Sequence, residues 1–260
     1  MNQHPNIYMG EEKEIFFFSH KFDKKSLDWY KKRYRNYEGE KAVGDGSNNI
    51  IVSKYAPKRI SKYINDPKFI FIVRDPIDRL MSAYKLRLKQ GKESVKYRTF
   101  SDFIRRMKNK KKSWPLKMGI YYKNISRYEE KFGEDKVKTI FFSDFKSETI
   151  EVVQSIYKFL GVRKEFKPKI EIKVKSGNRS SSRVLRFAYR YRDMAEEVFG
   201  FSLRSSVTSC IKDWIQRASG DRPKMTSEDW KFLVNYYKDD VEALQDHLGR
   251  DLSHWLTKDS

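Results

Sequence analysis

The sequence predicts an α/β fold: a parallel sheet flanked by helices, with a helical C-terminal portion. Three observations carry this. Phe69-Ile70-Phe71-Ile72-Val73 is an unbroken apolar run, which suits a strand buried on both faces, as in parallel sheets. It leads straight into Asp75-Pro76. The aspartate can cap a helix, and the proline suits the first helical position because its missing N–H is no loss there. Asp78 then favours the positive helix start. Finally, Thr226-Ser227-Glu228-Asp229 reads as a capping box. It opens a helix with a core face of Trp230, Leu233, Val234, Tyr237, Val241 and Leu244, closed by Gly249.

The other elements follow in order. Glu14 to Ser19 holds the apolar run Ile15-Phe16-Phe17-Phe18 and reads as a short strand. Ser26 to Tyr37, rich in Tyr, Trp and Lys, reads as a helix. Ala42 to Asp45 reads as a short strand, and Gly44 to Asn49 as a loop. Pro57 opens a helix that ends at Ile64, before Asp66-Pro67. The helix after Val73 runs to about Gln90, and another covers Thr99 to Asn109. Lys108 to Lys112 is a charge run of the kind that solvates a loop or helix end. Tyr121, Ile125, Tyr128 and Phe132 recur at helical spacing, and Gly133 ends that helix. Lys136 to Phe142 is a strand. Ser147 is the expected cap of the next helix, with Glu148 and Glu151 in its first turn. Its core face is Val152, Val153, Ile156, Tyr157, Phe159 and Leu160, closed by Gly161. Lys175 to Arg183 is loop-like, two helices follow near 183–198 and 202–218, and Gly220-Asp221-Arg222-Pro223 is a break.

Composition bounds the function. A chain of 260 residues with 15% aromatics can bury a substantial core. The formal net charge of +21 favours anionic partners such as nucleic acid, anionic glycans, nucleotides or an anionic membrane surface. The single cysteine, Cys210, excludes an intrachain disulfide. No apolar run reaches the roughly 18 residues of a membrane-spanning helix, and the start Met1-Asn2-Gln3-His4-Pro5 lacks signal-peptide character. These absences give a cytoplasmic expectation. Four scattered histidines and one cysteine offer no metal-ligand cluster, so no metal is expected.

Arg74 falls at the carboxyl end of the predicted strand, where open α/β sheets bind ligands. Ser82 lies two turns down the following helix. A guanidinium donates in pairs to a phosphate, and a hydroxyl adds another donor. Arg74 could instead pair with a nearby carboxylate, with Ser82 an ordinary helix residue. The whole string Phe69 to Tyr84 closely resembles the 3′-phosphate-binding segment of sulfotransferases that use 3′-phosphoadenylyl sulfate. There an arginine ends the strand, and a serine eight residues later completes the grip. Arg74 and Ser82 match in type and spacing.

Further segments resemble the glycan-modifying branch of that family in the same order. Lys13-Glu14 before the aromatic run matches a Lys-Glu segment whose glutamate is the proposed general base. The heparan 3-O-sulfotransferases place a histidine two residues after it, where this chain has Phe16. Gly44-Asp45-Gly46-Ser47 resembles the acceptor-side segment, although the family commonly has lysine or threonine near Gly46. Gly119-Ile120-Tyr121-Tyr122, Phe159-Leu160-Gly161-Val162 and Leu248 to Trp255 match later helices and closes.

The resemblance implies a P-loop-like sheet and 3′-phosphoadenylyl sulfate as co-substrate. Arg74, Ser82, Arg79 and Asn178 would bind it, Glu14 would be catalytic, and Lys13 and Asp45 would contact substrate. The expected acceptor is a carbohydrate or other small molecule, with an anionic glycan as a further partner and no specific nucleic acid. The family opens with a strand and a phosphate loop that cradles the 5′-phosphosulfate. No Gly-x-x-x-x-Gly-Lys occurs here, and His4-Pro5 aligns after that loop. The expectation is one sulfotransferase-like domain over residues 1–260, N-terminally incomplete, with the first strand and phosphate loop missing. The rival class is a non-catalytic basic protein, a fragment or pseudo-enzyme, binding nucleotide, nucleic acid or anionic glycan. A P-loop kinase is a weaker rival, because its lysine loop and magnesium carboxylate are both wanting.

Overall fold

The structure is a computed structural model that describes residues 1–89, 99–108, 113–169 and 225–257. Its elements in chain order are β1 (Ile7–Tyr8), α1 (Leu27–Lys31), β2 (Ala42–Val43), α2 (Ala56–Tyr63), β3 (Phe69–Val73) and α3 (Pro76–Lys89). After these come α4 (Phe100–Lys108), α5 (Trp114–Lys117), α6 (Tyr122–Phe132), β4 (Val137–Phe141), α7 (Phe142–Ser147), α8 (Thr149–Leu160) and α9 (Ser227–Leu248). The α/β class with parallel strands flanked by helices is as expected. Two compact units share the chain: Met1–Leu80, Lys110–Ile170 and Lys231–Ser260 form one, and Met81–Asn109 with Glu171–Trp230 form the other.

The first unit holds two parallel strand pairs. β1 pairs with β2, Ile7 opposite Ala42. β3 pairs with β4 over five residues, from Phe69 opposite Val137 to Val73 opposite Phe141. Phe69 and Phe71 turn inward onto Tyr128 of α6, at ring separations of 4.8 and 5.1 Å. Tyr128 is fully buried, and its hydroxyl donates to the Ile50 carbonyl at 2.6 Å. The opposite face of β3 is covered less, however, with Ile70 half-buried. Ile72 is 51% exposed, so the continuous apolar run does not mark a strand buried on both sides. Near the N-terminus, the buried His4 ring lies 4.6 Å from Tyr157 of α8. Its Nδ1 accepts from the Asn6 N–H and its Nε2 meets the Arg163 carbonyl. This ties β1 to the end of α8, beside the buried cluster of Ile7, Tyr157 and Val162.

In the second unit, Tyr84 of α3 packs against Phe100 and Phe103 of α4 at 5.5 and 5.2 Å. The start of α9 is fixed there by the expected capping box. The Asp229 N–H donates to Thr226 Oγ1, and Asp229 Oδ2 accepts from the Thr226 hydroxyl at 2.8 Å. The same oxygen accepts from Ser101 of α4 at 2.5 Å.

Three expectations are corrected. Residues 15–18 are not a strand: Phe16 sits in left-handed backbone at φ 59°, and Phe17–Lys21 is a π-helical turn. The helix expected over 26–37 is shorter, an α-helical Leu27–Lys31 continued by a tighter turn at Lys32–Tyr34. Ser147 does not cap α8 but ends α7, donating to the carbonyls of Ser143 and Asp144. Of the predicted α8 core face, Ile156 and Tyr157 are buried, while Val152, Val153, Phe159 and Leu160 are half-buried. Gly161 closes that helix in left-handed conformation, as expected. The predicted loop at 175–183, the two helices after it with Cys210, the break at 220–223 and all of the Lys108 to Lys112 charge run except Lys108, which ends α4, lie outside the described residues.

Candidate functional site

The first cluster is built where β3 meets α3. Asp75 Oδ1 accepts from the N–H groups of Ile77 at 2.7 Å and Asp78 at 3.1 Å, the cap the sequence predicts. Burial pushes this carboxyl above the usual aspartate range in spite of those two donors. The cap fixes the turn that carries Arg74. Arg74 Nη2 donates to the Asp78 carbonyl at 2.6 Å, a main-chain partner rather than a carboxylate. That carbonyl is one helical turn before position 82, where the structure exposes Ser82. Burial lowers the Arg74 pKa, the nearby Asp78 and Tyr121 oppose that, and Arg79 adds to it.

Arg79 extends from the first turn of α3 and donates to the Pro115 carbonyl. The segment before α6 closes on this junction. A Cβ on Gly119 would stand 2.9 Å from both Pro76 Cβ and Tyr237 Cε1, so only glycine fits. Tyr237 of α9 donates its hydroxyl to the Leu116 carbonyl at 3.0 Å. The first turn of α6 is capped from α9: Asp240 accepts the N–H groups of Tyr121, Tyr122 and Lys123 at 2.5, 3.1 and 3.0 Å. Arg74 Nε and Arg79 Nε are buried there without a hydrogen-bond partner among the described residues. Buried polar groups in folded proteins are nearly always paired, and Tyr8, Arg33, Ser113 and Tyr157 carry orphans of the same kind elsewhere.

The second cluster sets Glu14 and Asp45 on a shared loop contact beside the Lys13 main chain. Asn48 Nδ2 donates to Glu14 Oε1 at 2.6 Å. The Phe16 N–H donates to Ser47 Oγ at 2.7 Å, and the Ser47 hydroxyl donates to Asp45 Oδ1 at 2.6 Å. A Cβ on Gly46 would lie 2.6 Å from the Lys13 carbonyl oxygen. Main chain cannot yield that far, which explains why this chain has no side chain at that position. Lys13 and Glu14 are exposed, and Asp45 is half-buried. A non-glycine residue in left-handed backbone costs about 1–3 kcal/mol, and such strain and π-helical turns both concentrate at functional sites.

The sequence places Arg74 at the strand end and Asp75 at the helix cap, as the structure has them, but gives no sign of the Asp240 cap or the Ser47 bridge. Tyr121 was visible only as a core-spaced aromatic. Asp240 carried no local signal, because its partners lie about 120 residues upstream. Asn178 lies outside the described residues. Among the described residues no cluster of metal-ligating side chains occurs, and no helix is long and apolar enough to cross a membrane.

Residues 11–248 match the family model described as "Sulfotransferase domain". The chain belongs to that family. This sulfotransferase domain is 24% identical to the bifunctional heparan sulfate N-deacetylase/N-sulfotransferase 1 of Xenopus laevis, over 95% of its own length and 27% of that protein. It is 24% identical to heparan sulfate glucosamine 3-O-sulfotransferase 5 of Mus musculus, over 62% of its length and 48% of that protein. The chain thus spans half or less of the curated relatives it matches. Its fold matches the crystal structure of a sulfotransferase from Alicyclobacillus acidocaldarius, with a TM-score of 0.67 and 22% identity. That match covers 98% of this chain and 91% of the other.

Proposed function

We propose that this domain moves a sulfuryl group from 3′-phosphoadenylyl sulfate to a hydroxyl or amine of a carbohydrate. Family membership and relatives named for heparan sulfate support the reaction class and the acceptor class. The observation that carries the donor site is Arg74, at the carboxyl end of β3, with a buried Nε that no described residue pairs. Arg74 and Ser82, carried by the continuous β3–α3 segment, would hold the 3′-phosphate, with Arg79 adding positive charge and Asn178 as a further nucleotide contact.

In the transfer, the acceptor oxygen or nitrogen bonds to sulfur as the bond from sulfur to the phosphate oxygen breaks, releasing 3′-phosphoadenosine 5′-phosphate. Glu14 takes the acceptor proton. Its exposure leaves it open to a bulky acceptor, and Asn48 orients it. Lys13 and Asp45 flank it as acceptor contacts.

A second reading is favoured by the net charge of +21: a basic protein that binds polyanions without catalysis. Calorimetric titration of 3′-phosphoadenosine 5′-phosphate into the wild type and Arg74→Ala separates the two. The transferase reading expects saturable binding that weakens roughly ten- to hundred-fold in the variant. It also expects heparin binding to stay nearly unchanged. No nucleotide binding by the wild type, with heparin affinity falling steeply with salt, would establish the polyanion binder instead.

A further inference from the structure

Tyr55 is the most exposed of the large hydrophobic side chains among the described residues, at 56%, and Tyr63 at the other end of α2 is 38% exposed. Tyr55, Arg59 and Tyr63 recur every fourth residue. They therefore run along one face of the helix, with the two tyrosines about 12 Å apart along its axis. Arg59 links the rings. Its guanidinium lies 5.4 Å from the Tyr55 ring centre and 4.4 Å from that of Phe22, and the Phe22 ring lies 5.9 Å from Tyr63. Lys54 and Lys62 stand at the two ends, 4.9 Å from the Tyr55 ring and 5.3 Å from the Tyr63 ring. Rings and cations thus alternate along one exposed stripe.

The charge along this stripe is of one sign. Residues 46–65 carry Lys54, Lys58, Arg59 and Lys62 and no carboxylate. Arg59 is already engaged: it pairs with Asp23 at 2.9 Å and donates to the carbonyls of Phe18 and Ser19. The three lysines are exposed, so the attraction for an anion comes from them. Arg59 also ties the stripe to the Phe17–Lys21 turn, which begins three residues after Glu14.

We infer that this face of α2 is an extended subsite for an acidic oligosaccharide. A pyranose ring has apolar C–H faces that lie flat on an aromatic ring, and the tyrosine hydroxyl at the rim bonds the sugar's own hydroxyls. The lysine ammoniums meet carboxylates or sulfates as point charges. Two platforms about 12 Å apart call for a chain of sugars rather than a single one. A nucleic-acid strand is the poorer fit. Stacked and bidentate recognition of nucleic acid draws on arginine, and the one arginine here is spent on Asp23 and the main chain. The inference rests on the acceptor reading proposed above and extends it: the chain whose reacting group meets Glu14 continues onto α2.

The test is calorimetric titration with a heparin-derived hexasaccharide and, separately, with a single-stranded oligonucleotide of matched charge. The proteins are the wild type, the pair Tyr55→Ala/Tyr63→Ala and the triple Lys54→Gln/Lys58→Gln/Lys62→Gln, each at two salt concentrations and each melted without ligand. Every substituted side chain is exposed, so the melting temperatures should stay equal. The expected result is hexasaccharide affinity at least about ten-fold lower in the tyrosine pair, the scale of losing stacking platforms. In the lysine triple the affinity should fall and its dependence on salt should flatten. Unchanged affinity in the tyrosine pair would reduce the binding to the pull of the net charge and overturn the inference. So would tighter binding of the oligonucleotide, no hexasaccharide binding by the wild type, or a loss of affinity matched by a lower melting temperature. Hexasaccharide binding that needs both tyrosines, in a protein that transfers no sulfuryl group from 3′-phosphoadenylyl sulfate, would uphold the stripe and overturn only the reaction.

Discussion

At the residue scale, the two clusters differ in exposure: Arg74 and Arg79 are half-buried, and Glu14 is an exposed carboxylate. Glu14 is exposed and, among the described residues, takes a hydrogen bond from Asn48 alone. If it is the general base, Glu14→Gln keeps that bond but cannot take a proton. The expected outcome is a fall in kcat of roughly 10²–10⁴-fold, with nucleotide affinity unchanged. A higher KM at constant kcat would show instead that Glu14 only binds the acceptor. Residues of this kind were legible in the sequence to different degrees. Arg74 and Asp75 could be read because a strand end and a helix cap are local events, set by neighbours within four positions. Tyr121 could be read only as a core-spaced aromatic, which its burial bears out, and the Asp240 cap on its N–H is a tertiary contact with no local signal.

At the element scale, most helices were legible because caps and periodicity agreed, as at Thr226–Asp229 and Gly161. The failures have physical causes. Ile15 to Phe18 is apolar enough for a strand, but Ser47 binds the Phe16 N–H and turns the backbone into the left-handed region. Ser147 looks like a cap, yet α7 follows β4 directly and consumes it. The most consequential unread feature is the cap that α9 gives to α6. Asp240 is half-buried, and desolvation pushes its carboxyl above the usual range even with three N–H donors. Asp240→Ala would leave those three N–H groups unpaired and loosen the Tyr121 turn. The expected destabilisation is about 2–4 kcal/mol, measurable by denaturant unfolding, with anion affinity falling in step. A change below about 0.5 kcal/mol, the scale of an ordinary surface substitution, would show that water replaces the carboxylate without cost.

At the scale of the whole molecule, the sequence made the basic charge and the parallel α/β class plain, but not how many tyrosine hydroxyls would be withdrawn from water. Tyr30, Tyr121, Tyr128 and Tyr237 are each under a tenth exposed, and desolvation raises the pKa of all four. All four belong to the first compact unit. A phenol raised on folding stabilises the protein fully below its unfolded pKa of about 10 and loses that contribution as pH rises toward the folded value. In that window the unfolded chain releases protons the folded chain retains. Each phenol can then cost up to about 1.4 kcal/mol per pH unit, and four together approach about 5 kcal/mol per unit. Total stabilities are only about 5–15 kcal/mol. Deprotonation of lysines near the same pH lowers the net charge of +21 and relieves self-repulsion. Much of that repulsion is between exposed, salt-screened charges, so the buried phenols should prevail. Phenolate absorbance and circular dichroism followed together above pH 10 should therefore show a cooperative step, the buried tyrosines ionising as the unit unfolds. Smooth ionisation of every tyrosine with unchanged circular dichroism would mean that these hydroxyls reach solvent in the folded state.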